Sequence, residues 1–177
     1  MVFDVDVQLA CDEDDLPESC DQISTHIEAW VTAALQWPQL SWQRDMEWQE
    51  ATPFHEAAQL TVRIVGLQEG ESLNRDYRQR QGATNVLSFP FAEPFQLQPP
   101  LLGDIVVCAP CVVEEAQQQG KPLLAHWAHL VVHGVLHLLG YDHLDDHQAQ
   151  EMEGLEVLVL AQLGYPDPYN EQDCESA

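Results

Sequence analysis

His133, His137 and His143 stand in the spacing H-x-x-x-H-x-x-G-x-x-H, with Gly140 between the second and the third. The first two belong to an apolar run, Leu123 to Leu139, that has the length and composition of a buried helix. On a helix each residue advances by about 100°, so His133 and His137 lie roughly 40° apart on one face and one turn apart along it. Two imidazoles placed this way can grip one cation. A continued helix would carry His143 to nearly the opposite side. Gly140 tolerates the left-handed conformation that caps a helix and turns the chain back, which returns His143 to the same ion. Three neutral histidines on a divalent cation leave a fourth position for water, the layout of a catalytic zinc site. One zinc per chain is therefore expected.

The same ligand spacing occurs in the metzincin peptidases, which place a glutamate directly after the first histidine as general base. Here that position is Gly134. The metal-binding half of the pattern is present and the peptidase base is missing. His126 and His129 fall on the same helical stripe as the first two ligands. They are candidates for steadying a ligand imidazole or for facing substrate, against the plainer role of hydrogen-bonded core histidines.

A chain of 177 residues with 45% hydrophobic content is expected to fold as one domain with a substantial core. We expect that domain to span 1–164, with 165–177 as a disordered tail rich in acids and carrying two prolines. No apolar run reaches membrane-spanning length, and no basic segment followed by an apolar one opens the chain, so the cytoplasm is the expected location. Five cysteines make a poor disulfide framework, and Cys108-Ala-Pro-Cys111 is a single C-x-x-C without a partner pair. The net charge of −24, with only six basic residues, repels polyanions at long range. Yet Arg75, Arg78 and Arg80 lie within six positions, and a bound dication would add two positive charges of its own. A small cationic site inside an acidic body is the reading that accommodates both.

Alternation of apolar and polar residues predicts strands over Phe3–Leu9 and Gln59–Ile64, and apolar runs between turn signals add Thr84–Phe89, stopped by Pro90, and Leu101–Val107. Asp12 to Asp15 reads as a solvated acidic turn. Helical spacing predicts a helix from Pro17 to Gln36, ended by Trp37-Pro38, and a short one over Glu71–Arg78. Residues 39–55 read as a loop or peripheral insertion, and Pro94 to Pro100 as a proline-rich loop. Further helices are expected over Pro110–Gln119, along the histidine run, and over His147–Leu163. The sum is an α/β fold in which the metal helix lies against a small sheet.

Thr84-Asn85-Val86-Leu87-Ser88-Phe89-Pro90, Leu102-Gly103-Asp104-Ile105, His126-Trp127 and the His133–His143 signature together resemble the bacterial YbeY endoribonucleases. Leu73-Asn74 with Tyr77-Arg78 fits the same pattern, and the similarity runs from about Thr61 to Tyr169. The resemblance implies a mixed four-stranded sheet packed with helices. It also implies zinc on His133, His137 and His143, and a metal-dependent endoribonuclease that prefers single strands. Ribosomal RNA maturation and ribosome quality control follow as expected roles. Precursor ribosomal RNA is then the expected partner, with the ribosome or small-subunit assembly proteins beside it. The family's functional arginine maps onto Arg78. Many members carry aspartate where this chain has Asn85, so that position is given no acid–base role.

A zinc-bound water, its pKa lowered toward about 7, would be a usable nucleophile. Attack on a phosphodiester builds charge on the non-bridging oxygens, which a guanidinium can meet with two parallel hydrogen bonds. Arg78 is the candidate for that role, with Arg75 and Arg80 as steering charges or as a solvated helix face. Asp142, next to a ligand, is a candidate for orienting an imidazole. Asp104, at a strand start, either faces the site or caps a turn, and Ser88 is a further candidate contact. Neither the general base nor the nucleophile, water or an RNA 2′-hydroxyl, is fixed by the sequence. A zinc peptidase and a non-catalytic ribosome-associated module are the competing readings.

Overall fold

Two alternating segments and two short apolar runs build four strands, and the computed structural model joins them into one mixed sheet in the order β1-β2-β4-β3. It describes residues 2–12, 20–41, 57–92 and 99–170. The elements run β1 (Val2–Ala10), α1 (Cys20–Ser41), β2 (Ala57–Val65), α2 (Leu67–Arg78), β3 (Val86–Pro90), β4 (Leu101–Cys108), α3 (Ala109–Gln119), α4 (Leu123–Leu138) and α5 (Asp146–Gln162). β1, β2 and β4 are parallel, and β3 pairs antiparallel to β4 at the sheet edge. The expected α/β fold with a mixed four-stranded sheet is the one formed.

The two faces of the sheet are unequal. Ala58, Leu60, Val62, Ile64, Ile105 and Val107 face the large core, where α1, α4 and α5 bury Ile27, Trp30, Trp127, Val131, Leu136 and Leu160. Each such side chain stabilises the fold by about 1.5–3 kcal/mol through the water it sheds. Helix α2 covers the other face with a smaller cluster, in which Leu73 packs near Leu87, Val106 and Cys108. The histidine helix α4 is the hub, packing on α1, α3, α5, β3 and β4.

Several boundaries differ from the sequence reading. α1 continues through Trp37-Pro38 to Ser41. A proline forfeits one backbone hydrogen bond and crowds the preceding turn, and here that cost falls in the last turns of a helix already anchored by Trp30, Val31, Ala34 and Leu35. α2 starts four residues earlier than Glu71, at Leu67. Pro90 ends β3 from inside the strand rather than after it. It is tolerated there because β3 is an edge strand, where a missing donor breaks no second ladder.

The segment Tyr165–Asn170, expected to be part of a disordered tail, is docked. The Trp30 indole donates to the Tyr165 hydroxyl at 3.2 Å, and Lys121 Nζ donates to the Pro168 carbonyl at 2.8 Å. The acidic composition of the tail hid two tyrosines with partners in the body. Residues 13–19, 42–56, 93–98 and 171–177 lie outside the described residues. With them go most of the predicted acidic turn, the start of the first helix, the peripheral insertion, most of the proline-rich loop and the end of the tail.

Candidate metal centre and its surroundings

Helix α4 ends as its glycine requires. Gly140 takes φ +95°, its N–H donates to the His137 carbonyl, and the Tyr141 N–H donates to the Leu136 carbonyl, both at 3.0 Å. This double closure is the Schellman cap. It turns the chain so that His143, six residues beyond His137, comes back over the helix end. One ligand atom from each of His133, His137 and His143 falls within 4.8 Å of the others. Nε2 of His133 and Nε2 of His137 are 3.1 Å apart. Nitrogens that close, on rings fixed from behind, are donors aimed at one point.

The electrostatics favour a neutral His137. Burial, then the neighbouring His133 and His143, push His137 down to about 4, while a hydrogen bond to the Tyr141 backbone opposes the shift in part. A half-buried, uncharged imidazole is the form a metal needs. The donor set, three imidazoles without a thiolate, suits zinc or another borderline divalent ion. His143 is the most exposed of the three; Asp142 Oδ1 lies 3.7 Å from its Nδ1 and accepts from its backbone N–H at 2.8 Å.

Behind the trio stands a residue the sequence reading missed. Glu156, on α5, is fully buried. Its Oε1 accepts from His133 Nδ1 at 2.5 Å, and its Oε2 accepts from His129 Nε2 at 2.9 Å and from the Tyr169 hydroxyl. Burial alone would raise this carboxyl; the hydrogen bonds from His129 and His133 outweigh it and hold the group down to about 2. Burial and the adjacent Glu156 keep the Tyr169 hydroxyl protonated, well above the usual range. A signal existed in the sequence: Glu156 sits on the apolar stripe of Met152, Leu155, Val159 and Leu160, where a solvated acid does not belong.

His126 and His129 do share the stripe, but His126 looks away from the trio. Its Nε2 meets Glu115 Oε2 at 2.9 Å, and Asn85 Nδ2 donates to both oxygens of that carboxylate at 3.2 and 3.0 Å. Burial lowers His126 below its ordinary value, with Glu115 offsetting part of the shift. Ser88 Oγ donates to the Gly134 carbonyl at 3.4 Å, so it touches the backbone of the metal helix rather than a histidine.

Asp104 does not face the trio. Ile105 points at α4, and strand alternation sends Asp104 to the opposite face, in register with Phe89 and Thr61. Arg75, Arg78 and Arg80 lie at and just beyond the end of α2, on that same far face. Arg75 pairs with Asp76 at 3.3 Å. Arg78 is exposed and has no ion-pair partner among the described residues. Tyr77 packs edge-on against Phe89, ring centroids 4.9 Å apart, which brings the end of α2 to the β3 edge of the sheet. The C-x-x-C pair lies at the β4–α3 junction, where burial and then Cys108 push the Cys111 thiol up to about 12. A redox or ligand thiol needs the opposite shift.

Gly134 explains why no glutamate follows His133. A Cβ there would lie 2.9 Å from Ile105 Cγ2 and 3.1 Å from Ile105 Cδ1. The position is the close approach between α4 and the sheet, and a side chain on it would enter the core. Gly134→Ala should lower the unfolding free energy by about 1–3 kcal/mol through overpacking, read as a lower denaturant midpoint at unchanged slope. Gly134→Glu should be worse still and should acquire no peptidase activity.

Acid should weaken the metal-free protein in two stages. His137 is depressed when folded, so its unfolded form binds the extra proton; stability is full above the ordinary histidine value and declines as pH falls toward about 4. Glu156 is depressed likewise, and its contribution is lost from the ordinary carboxylate value down toward about 2. Melting temperature against pH should show both declines, and Glu156→Gln should lack the lower one.

Comparison with known proteins agrees with this architecture. The family model for endoribonuclease YbeY matches residues 19–164. An endoribonuclease YbeY of Cellvibrio japonicus (strain Ueda107) is 46% identical over 169 residues, covering 96% of this chain and 84% of the relative. The solution structure of TM1509 from Thermotoga maritima shares the fold, with a TM-score of 0.52 at 19% identity, over 94% of this chain and 99% of that one. Matched by the family model over most of its length and by a relative 46% identical over 169 residues, the chain belongs to the endoribonuclease YbeY family of RNA-cleaving hydrolases.

Proposed function

We propose that this protein is a zinc-dependent endoribonuclease that prefers single strands and acts in the cytoplasm in ribosomal RNA maturation and ribosome quality control. Precursor ribosomal RNA is its substrate, and the ribosome or small-subunit assembly proteins are its partners. The observation that carries the reading is the convergence of His133, His137 and His143 at the capped end of α4, in a chain of an RNA-cleaving family. Among the described residues no helix is long and apolar enough to cross a membrane.

A zinc ion on the three imidazoles would supply Lewis acidity toward a phosphoryl oxygen and acidify a water. The chain's own residues do the rest. His133 would present Nε2 to such an ion, because Glu156 engages its Nδ1, and a hydrogen bond to the Tyr141 backbone steadies the His137 ring. Arg78 receives a phosphate. It ends α2, on the sheet face opposite the histidine helix and beside β3 through the Tyr77–Phe89 contact, so a strand bound to both would follow the β3 edge. A flexible single strand can follow that path and a stiff duplex cannot, which supports the single-strand preference. The peptidase reading loses ground on Gly134, whose position points into the core.

Matched single-stranded and duplex RNAs, with casein as a third substrate, test the assignment. Internal cuts in the single strand, suppressed by a chelator, are expected, with the duplex cut slowly and casein intact. Casein cleavage with intact RNA would overturn it. In cells depleted of the protein, unprocessed ribosomal RNA ends should accumulate.

A further inference from the structure

A fully buried carboxylate is costly, and a core built only for stability would carry a leucine at position 156, among Met152, Leu155, Val159 and Leu160. Instead Glu156 spends both oxygens on donors. Oε1 accepts from His133 Nδ1 at 2.5 Å, and Oε2 accepts from His129 Nε2 at 2.9 Å and from the Tyr169 hydroxyl. A hydrogen on His133 Nδ1 leaves the lone pair on Nε2, the atom that faces His137 Nε2 at 3.1 Å. The carboxylate therefore sets both the tautomer and the ring plane of a metal ligand.

The segment after α5 is shaped to deliver the third donor. Tyr169 N–H donates to Asp167 Oδ1 at 2.8 Å, the Asn170 N–H donates to the Asp167 carbonyl at 3.3 Å, and Lys121 Nζ ties down the Pro168 carbonyl at 2.8 Å. The Tyr169 ring packs edge-on against His129, centroids 5.4 Å apart, so hydroxyl and imidazole reach the same oxygen side by side.

We propose that Glu156 and Tyr169 are positioning residues of the metal centre: Glu156 fixes His133 for metal binding, and Tyr169, carried by the C-terminal segment, fixes Glu156. Metal affinity is thereby coupled to the docking of residues 165–170. The inference rests on the metal-site reading above.

Zinc affinity by chelator competition, on the full chain, tests it in the wild type, Glu156→Gln, Tyr169→Phe and the double variant. Nitrogen-15 NMR of the metal-free proteins reports the His133 tautomer. Glu156→Gln replaces one acceptor oxygen with a donor and should weaken zinc binding about 10- to 100-fold. Its His133 should become a mixture of tautomers, where the wild type holds the proton on Nδ1. Tyr169→Phe should cause a smaller loss, about tenfold or less, and the double variant should be no weaker than Glu156→Gln alone. A folded Glu156→Gln with wild-type affinity and tautomer would overturn the proposal. If that variant fails to fold, Tyr169→Phe decides: wild-type affinity and tautomer in it would overturn the proposal equally. Additive losses in the double variant would show that Tyr169 does not act through Glu156, overturning its part. A wild type that binds no zinc would instead remove the metal-site reading itself.

Discussion

His137→Ala is expected to abolish zinc binding and RNA cleavage together while leaving the fold in place. Its Nε2 is 3.1 Å from that of His133, and the third ligand comes from an exposed turn residue. Without His137 the ion keeps one ligand on a rigid helix and one on the turn, too few to hold it through dialysis. Bound zinc should fall from about one equivalent to near none, and cleavage should drop by about a thousandfold or more, since no other cluster among the described residues could hold the ion that supplies the Lewis acid. The folding cost should be small, because a half-buried imidazole with a depressed affinity for protons is not a strong contributor to the core. Elemental analysis after dialysis, beside a melting curve, separates the two effects. Stoichiometric zinc in the folded variant would remove His137 from the ligand set.

Arg78→Ala should do the reverse on the metal and the same on the reaction. The guanidinium is exposed and unpaired among the described residues, so no ion pair among them depends on it. Zinc content should stay at the wild-type level, and the melting temperature should stay within a few degrees. Cleavage should fall about a hundredfold, equivalent to about 3 kcal/mol of lost transition-state stabilisation. Arg78→Lys should recover part of it, because an ammonium keeps the charge and lacks the planar pair of donors. Single-turnover cleavage of one single-stranded RNA by the three proteins measures this. Rates within two- or threefold of wild type for a zinc-loaded Arg78→Ala would return Arg78 to the solvated surface.

The clustering of the three histidines was legible because its logic is local. Two histidines one turn apart and a glycine that caps the helix are separated by so few residues that spacing alone brings them together. Glu156 was not legible in that way. It lies 23 residues from His133 on another helix, and a chain with 30 acidic residues offers many equivalent candidates. Only its place on an apolar stripe marks it. Tyr169 was hidden by an acidic, proline-bearing segment whose composition resembles a tail. For Asp104 the strand parity was readable, since it alternates with Ile105, yet which sheet face α4 would cover is a tertiary fact. The same fact separates the arginines of α2 from the histidines. Gly134 read as a missing base; in the fold it is the contact point between α4 and Ile105.

Zinc titration of the metal-free wild-type protein, followed by cleavage of a fluorescent single-stranded RNA, tests the central claim most directly. Cleavage should be near zero without metal, rise in proportion to added zinc, and break to a plateau at one ion per chain. A second addition of chelator should abolish it, and zinc should restore it. Cleavage at full rate by protein shown to be metal-free would contradict the account, because the three histidines would then have no part in the reaction.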